Sequence, residues 1–164
     1  MAWTAPKTWV VGEALTAPDL NAQIRDNMLA LKAPPTALVR LDEPTDYTTT
    51  STVFVAVDTS RLSLSLTTSG GDMLIGFSGN ISNSTQATFV DIEFDGVMIG
   101  GDEGLVRVPT LHSVCSFSVL KTGVTAGSHT IRVMWRVTSA STSTLYAGVT
   151  AGFNTHAHFW AREV

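Results

Sequence analysis

Two hydrophobic periods divide the chain. Between Leu15 and Leu31, the residues Leu20, Ile24, Met28 and Leu31 recur at helical spacing and make one apolar stripe. Thr16 is a suitable N-cap, Pro18 fits the first turn, and Asp19 complements the helix N-terminus. Pro34-Pro35 ends the pattern. The predicted helix has about four turns, which is marginal alone in water. Its stripe should therefore lie against its own domain, its copies, or a larger assembly. Nothing else in the chain has a helical period.

From Val53 the period becomes two. Val53/Val55/Val57 alternate with Phe54 and Ala56, Leu62/Leu64/Leu66 and Val90/Ile92/Phe94 alternate with polar residues, and Met73/Ile75/Phe77 keep the same spacing. Cys115/Phe117/Val119, Ile131/Val133/Trp135/Val137 and Leu145/Ala147/Val149 continue the pattern, and Ala157–Val164 ends it. Gly70-Gly71 and Gly123–Ser128 read as turns, and Asp95-Gly96 is the strongest hairpin signal. Roughly eight to ten short strands at turn spacing predict an antiparallel β-sandwich, with one wet face per strand suggesting a jelly roll. The predicted organisation is an N-terminal arm and helix over 1–35, a linker over 36–52, and the sandwich over 53–164. The linker rests on Pro34, Pro35, Pro44 and the polar run from Asp46 to Thr52, although Val39 and Leu41 could make a short edge strand.

Composition narrows the function. Charged residues make up 15% of the chain and hydrophobic ones 44%, against a typical charged share of roughly 25%. That deficit suggests a surface partly covered by other protein. A net charge of −4 gives no footprint for nucleic acid. The single Cys115 excludes an internal disulfide. With no basic leader and no long apolar run, assembly in a cytoplasm without membrane insertion is expected.

Chemistry-bearing motifs are few. There is no Gly-x-Ser-x-Gly, Walker loop or His-Glu-x-x-His, so no enzymatic activity is expected. Asp91, Glu93 and Asp95 share a strand face near Asp102 and Glu103, a pattern that could serve glycosidic chemistry or Ca²⁺ but also arises on any solvated face. Asn80-Ile81-Ser82 and Asn83-Ser84-Thr85 match glycosylation acceptors by chance composition. His156-Ala157-His158 is the one metal-like signal, since alternation would aim both imidazoles to one strand face, beside Trp160. Three copies of that pair around a three-fold axis would suffice for an octahedral transition metal; otherwise no cofactor is expected. Tyr47, Tyr146 and Phe153 are candidate loop aromatics for ligand binding.

The N-terminal arm carries Trp3, Trp9 and Val10 between Pro and Gly residues. These tryptophans either pack on the helix or β-domain, or anchor into a partner, where Trp is favoured. Trp3-Thr4-Ala5-Pro6, Trp9-Val10-Val11-Gly12-Glu13, Leu15-Thr16-Ala17, Leu20-Asn21, Arg25-Asp26-Asn27 and Leu29-Ala30-Leu31 together resemble the N-terminal segment of many tailed-phage and prophage virion proteins. The resemblance covers about 35 residues and implies a fibre, spike or capsid-decorating protein with a β-rich domain behind the segment. Thr125-Ala126-Gly127-Ser128-His129-Thr130-Ile131-Arg132-Val133-Met134-Trp135 resembles the late hairpin of tumour-necrosis-factor-like and C1q-like jelly rolls. That resemblance implies a homotrimeric knob, and His-x-His around the axis is similar to metal sites of some phage spikes.

The expectation is a non-enzymatic structural virion component, assembled in the host cytoplasm. Trp3, Trp9, Leu20, Ile24, Met28 and Leu31 would make its attachment or oligomer contacts, and other virion proteins would be its partners. A receptor-binding module for host glycan or protein is the alternative.

Overall fold

A computed structural model describes residues 4–42, 45–139, 141–148 and 156–164. Helix α1 runs without a break through Ala17–Leu20, Asn21–Asp26 and Asn27–Lys32. Thr16 caps it, its hydroxyl accepting the Asp19 N–H at 3.3 Å, and Pro18 sits in the first turn as predicted. The middle segment is wound as π-helix, a form usually confined to short insertions. The chain leaves the helix at Ala33 and turns at Pro34-Pro35 into the sandwich.

The rest is a β-sandwich of two antiparallel sheets. Its strands are β1 (Thr36–Arg40), β2 (Tyr47–Thr49), β3 (Val55–Ala56), β4 (Ser63–Thr68), β5 (Gly71–Asn83) and β6 (Thr88–Phe94). They continue as β7 (Val97–Met98), β8 (Val106–Val108), β9 (Ser113–Val124), β10 (Gly127–Val137), β11 (Ser143–Leu145) and β12 (His158–Glu163). In the first sheet the long β5 pairs with β9 along one edge and with β12 and β11, end to end, along the other. β1 and β2 then flank β12 and β11. In the second sheet β10 lies between β6 and the β3–β4 pair, and β6 carries β7 and β8 on its far side. Early strands thus pair with late ones: β1 with β12, β4 with β10, β5 with β9, and β6 with β7 and β8. This nested pairing is a long hairpin folded over on itself, the jelly-roll arrangement.

Alternation drives the layering. Met73, Ile75 and Phe77 of β5, Val90, Ile92 and Phe94 of β6, Ile131, Val133 and Trp135 of β10, and Phe159 and Ala161 of β12 meet between the sheets. The Asp95-Gly96 turn joins β6 to β7 with both residues at positive φ, 49° and 83°, as a two-residue hairpin requires.

The expected linker over 36–52 is corrected by the structure. Thr36–Arg40 and Tyr47–Thr49 are strands within the first sheet, with Ala37 and Val39 packed on the core and Leu41 buried in it. Edge strands tolerate nearby prolines because they form a ladder on one side only. The sandwich therefore begins at Thr36, not Val53. Val53 itself is exposed, and only Val55–Ala56 of that run forms a strand. Val149 lies outside the described residues.

The outer faces differ in how they are covered. On the second sheet, Arg132 on β10 faces Glu93 on β6 across the ladder and pairs with it at 2.8 Å. Arg136 stands over the rings of Phe89 and Phe54, at 4.4 and 5.3 Å. Buried Asp91 accepts the Gly100 N–H at 2.9 Å and holds the Val97–Leu105 loop over that face. On the first sheet, Leu38, Trp160, Gly76 and Ser118 form one outward row across four strands. Trp160 lies flat on Gly76, where a Cβ would meet the indole at 2.4 Å. Gly76→Ala should therefore cost about 1–3 kcal/mol by overpacking. Because Trp160 is on the outer face, the ring can swing outward, so urea unfolding should show the loss together with a red-shifted native tryptophan emission. Unchanged emission and midpoint would contradict this packing.

Candidate functional site

The arm and α1 form a unit with its own internal bonding. Asn27, a buried residue of α1, accepts the Thr4 N–H through Oδ1 at 2.8 Å and donates to the Thr4 carbonyl through Nδ2 at 3.0 Å. One helical turn earlier, Gln23 accepts the Lys7 N–H at 2.8 Å and donates to the Ala5 carbonyl at 3.3 Å. Two side-chain amides thus substitute for a neighbouring strand and hold the arm antiparallel along the helix. The chain reverses between them near Gly12, whose φ is +85°.

Charge supports the same hairpin. Lys7 contacts Glu13, lies 3.5 Å from Asp19, and stands 4.5 Å over the Trp9 ring. The Glu13 hydrogen bond raises the Lys7 pKa above its ordinary value. The bond from Lys7 lowers Glu13, and the Thr16 hydroxyl lowers Asp19. These groups are open to water, so their pairing orients the arm more than it stabilises it.

The predicted stripe does not pack on the sandwich. Leu20, Ile24, Met28 and Leu31 are 40–68% exposed, and Val10, Val11 and Leu15 of the arm are exposed as well. Among the described residues no strand packs extensively on α1. Only its end approaches the sandwich, where Leu31, Pro34 and Pro35 face Gly70, Arg162 and Val164 across a groove of about 500 Å³. Trp9 is partly exposed beneath Lys7. Trp3 lies outside the described residues, as does Phe153.

His156 precedes β12, and its Nδ1 lies 2.8 Å from the Leu41 carbonyl oxygen and 3.6 Å from Asp42 Oδ1. The carbonyl can only accept, so Nδ1 donates to it. His158 is exposed on the first sheet's outer face, directly opposite Arg40. A guanidinium beside it opposes a bound cation. Among the described residues no group of three or more His, Cys, Asp or Glu side chains converges within one chain.

The acidic row is occupied locally. Asp91 serves the Gly100 loop, with burial raising its pKa against the Gly100 and Ile92 N–H bonds. Glu93 pairs with Arg132, and Asp95 lies in the hairpin turn, bonded to His129 and to the Thr130 N–H. Asn83 is buried, donating to the Thr88 hydroxyl and accepting the Thr85 and Gln86 N–H groups, so its amide is closed to a glycan. Cys115 is buried on an apolar face, and desolvation pushes its thiol up to about 12. The Tyr146 ring lies tilted against His112, centroids 5.3 Å apart, and its hydroxyl lies 3.2 Å from Ser82 Oγ.

No protein-family model matches the chain, and no curated protein matches it at a significant level.

The amide pair is the part of the site that sequence reasoning missed. Gln23 and Asn27 stand four residues apart beside the stripe, and that spacing was the available signal. Asn27→Ala removes both bonds to Thr4 and should weaken arm docking by about 1–2 kcal/mol. Amide hydrogen exchange should then quicken at Thr4 and Lys7 while the melting temperature of the sandwich stays the same. Undiminished protection at those amides would show that the arm is held by other contacts.

Proposed function

We propose that this chain is a non-enzymatic structural component of a phage virion, a trimeric surface knob or capsid-decorating protein joined to other virion proteins through its arm and helix. The observation that carries this reading is the exposed stripe Leu20, Ile24, Met28 and Leu31 on a helix that the arm braces and the sandwich leaves open. A solvent-facing apolar stripe on a short, braced helix is an interaction element, since isolated helices of this length gain their stability by burying such a face. The resemblance of the arm and helix to virion attachment segments agrees with it.

Trimerisation is assigned to the outer face of the first sheet. Leu38, Leu74, Leu120 and Val114 alternate there with Ser78, Ser116 and Ser118, and among the described residues no loop is fastened over this face as the Val97–Leu105 loop is over the other. Short hydroxyl side chains lose little conformational freedom on burial, and the apolar ones supply the driving force. A ring pair such as Tyr146 with His112 would serve the alternative, a receptor-binding module, and direct binding of the knob to host cells would favour it.

The two surfaces can be separated experimentally. Deleting residues 1–33 should leave a soluble, cooperatively melting trimer that no longer enters virions, and Ile24→Asp should reproduce the attachment defect with little change in melting temperature, because a carboxylate in an apolar contact must be desolvated. A deletion product that aggregates or falls apart would refute the division of roles. Conversely, Leu38→Asp combined with Leu120→Asp should yield a folded monomer by light scattering. A wild-type chain that is monomeric at micromolar concentration would remove the trimer reading.

A further inference from the structure

His129 opens β10 and is buried. Both its ring nitrogens face oxygen acceptors: Nδ1 lies 2.7 Å from Asp95 Oδ2, and Nε2 lies 2.9 Å from the Thr125 carbonyl oxygen. The carbonyl has no proton to give, and the Asp95 carboxylate already accepts the Thr130 N–H at 2.8 Å through its other oxygen. A neutral imidazole carries one N–H and can satisfy one of these acceptors; the imidazolium satisfies both.

The two acceptors belong to different turns. Asp95 sits in the β6–β7 hairpin turn and Thr125 in the β9–β10 turn, far apart in sequence and joined here through one ring. Between them opens a cleft of about 380 Å³, walled by Phe94, Val97, Met98, Ile99 and Val124. The other neighbours of His129 can be named from each side. Phe94 lies against the ring at 5.1 Å, and Leu66 of β4 is its apolar cross-strand partner. From β9, Lys121 lines the cleft, its Nζ 5.9 Å from the centre of the Phe94 ring. At the start of β5, Asp72 is engaged with the Gly123 N–H at 3.0 Å, and Glu93 of β6 is engaged with Arg132. Asp95 is thus the carboxylate in direct contact with the imidazole, and Lys121 is the like charge of the cleft.

We propose that His129 is a protonated latch: as an imidazolium it fastens the Asp95-Gly96 turn to the Thr125 turn, and losing its proton releases that tie and opens the cleft between them. The Asp95 hydrogen bond raises the His129 pKa above 6.5, against desolvation. Desolvation would raise Asp95, but the bonds from His129 and the Thr130 N–H carry it below its ordinary 3.8. The signs follow. The imidazolium's contribution is complete below the unfolded value of 6.5 and is lost as pH rises through the higher folded value. The carboxylate's contribution is present above 3.8 and is lost as pH falls through its depressed folded value. The latch is closed between those limits and opens on either side.

The test uses the full chain. Long-range ¹H–¹⁵N spectra of the ring should show both nitrogens protonated below pH 6.5 and a titration midpoint above it. Hydrogen exchange at Gly96 and Val97, corrected for its intrinsic pH dependence, should quicken by about tenfold or more across that midpoint, the factor expected when a hydrogen bond made by a charged group is lost. Asp95→Asn, in an exposed turn, should lower the midpoint, and His129→Gln should abolish the step in exchange. If His129→Gln does not fold, Asp95→Asn alone still decides the matter. A neutral single tautomer below pH 6.5, a midpoint unmoved by Asp95→Asn, or an exchange step that persists in folded His129→Gln would each overturn the proposal.

Discussion

The architecture depends on burying two sheet faces against one another, and β5 is the strand through which that burial is organised. It is long enough to pair with β9 along one side and with both β11 and β12 along the other. Its inward residues Met73, Ile75, Phe77 and Ile81 are sealed, with the inward faces of β6 and β10 closing over them. Since the core has no disulfide to rely on, its cohesion comes from this apolar contact and the two ladders that present it. The same burial fixes which residues point outward. The second sheet's outer face is occupied by its own Arg–Glu and Arg–aromatic pairs and by a tethered loop, whereas the first sheet's carries small hydroxyls and exposed aliphatics on β5 and β9, with Trp160, His158, Arg40 and Arg162 on β12 and β1.

The helix obeys a different economy. It is too short to persist by propensity alone, and the sandwich lends it little. Its support comes from the arm, through hydrogen bonds between side-chain amides and main chain, with ion pairs playing an orienting part. This leaves the apolar stripe uncommitted while the backbone beneath it is ordered. Binding through a surface that is already ordered avoids much of the entropy that a flexible tail would lose on docking.

Much of the sandwich was legible because period-two burial is a local property. Leu62/Leu64/Leu66 and Ile131/Val133/Trp135/Val137 are buried as their spacing indicated, and Asp95-Gly96 forms the turn it announced. The segment 36–52 was misread because its membership in the sheet is decided far away. β1 pairs with β12 and β2 with β11, and the nearby prolines that look like a spacer cost nothing at an edge. The short β7 and β8 escaped notice because two or three residues are too few to show a period. The Asn27–Thr4 clamp and the His129–Asp95 pair were invisible because they join residues 23 and 34 positions apart, and a polar side chain in sequence does not say what it faces. The helix and its Thr16 cap, by contrast, are local features and stand where the sequence placed them.

The way Gln23 and Asn27 grip the arm has a consequence for variation. Both amides address N–H and C=O groups, which every residue but proline supplies alike. The grip is therefore blind to side-chain identity at Thr4 and Ala5. Those positions are free to drift without loosening the hairpin, and proline at position 4 or 7 is the substitution that the grip itself forbids. Side chains at these two arm positions can thus change while the helix beneath them stays as it is.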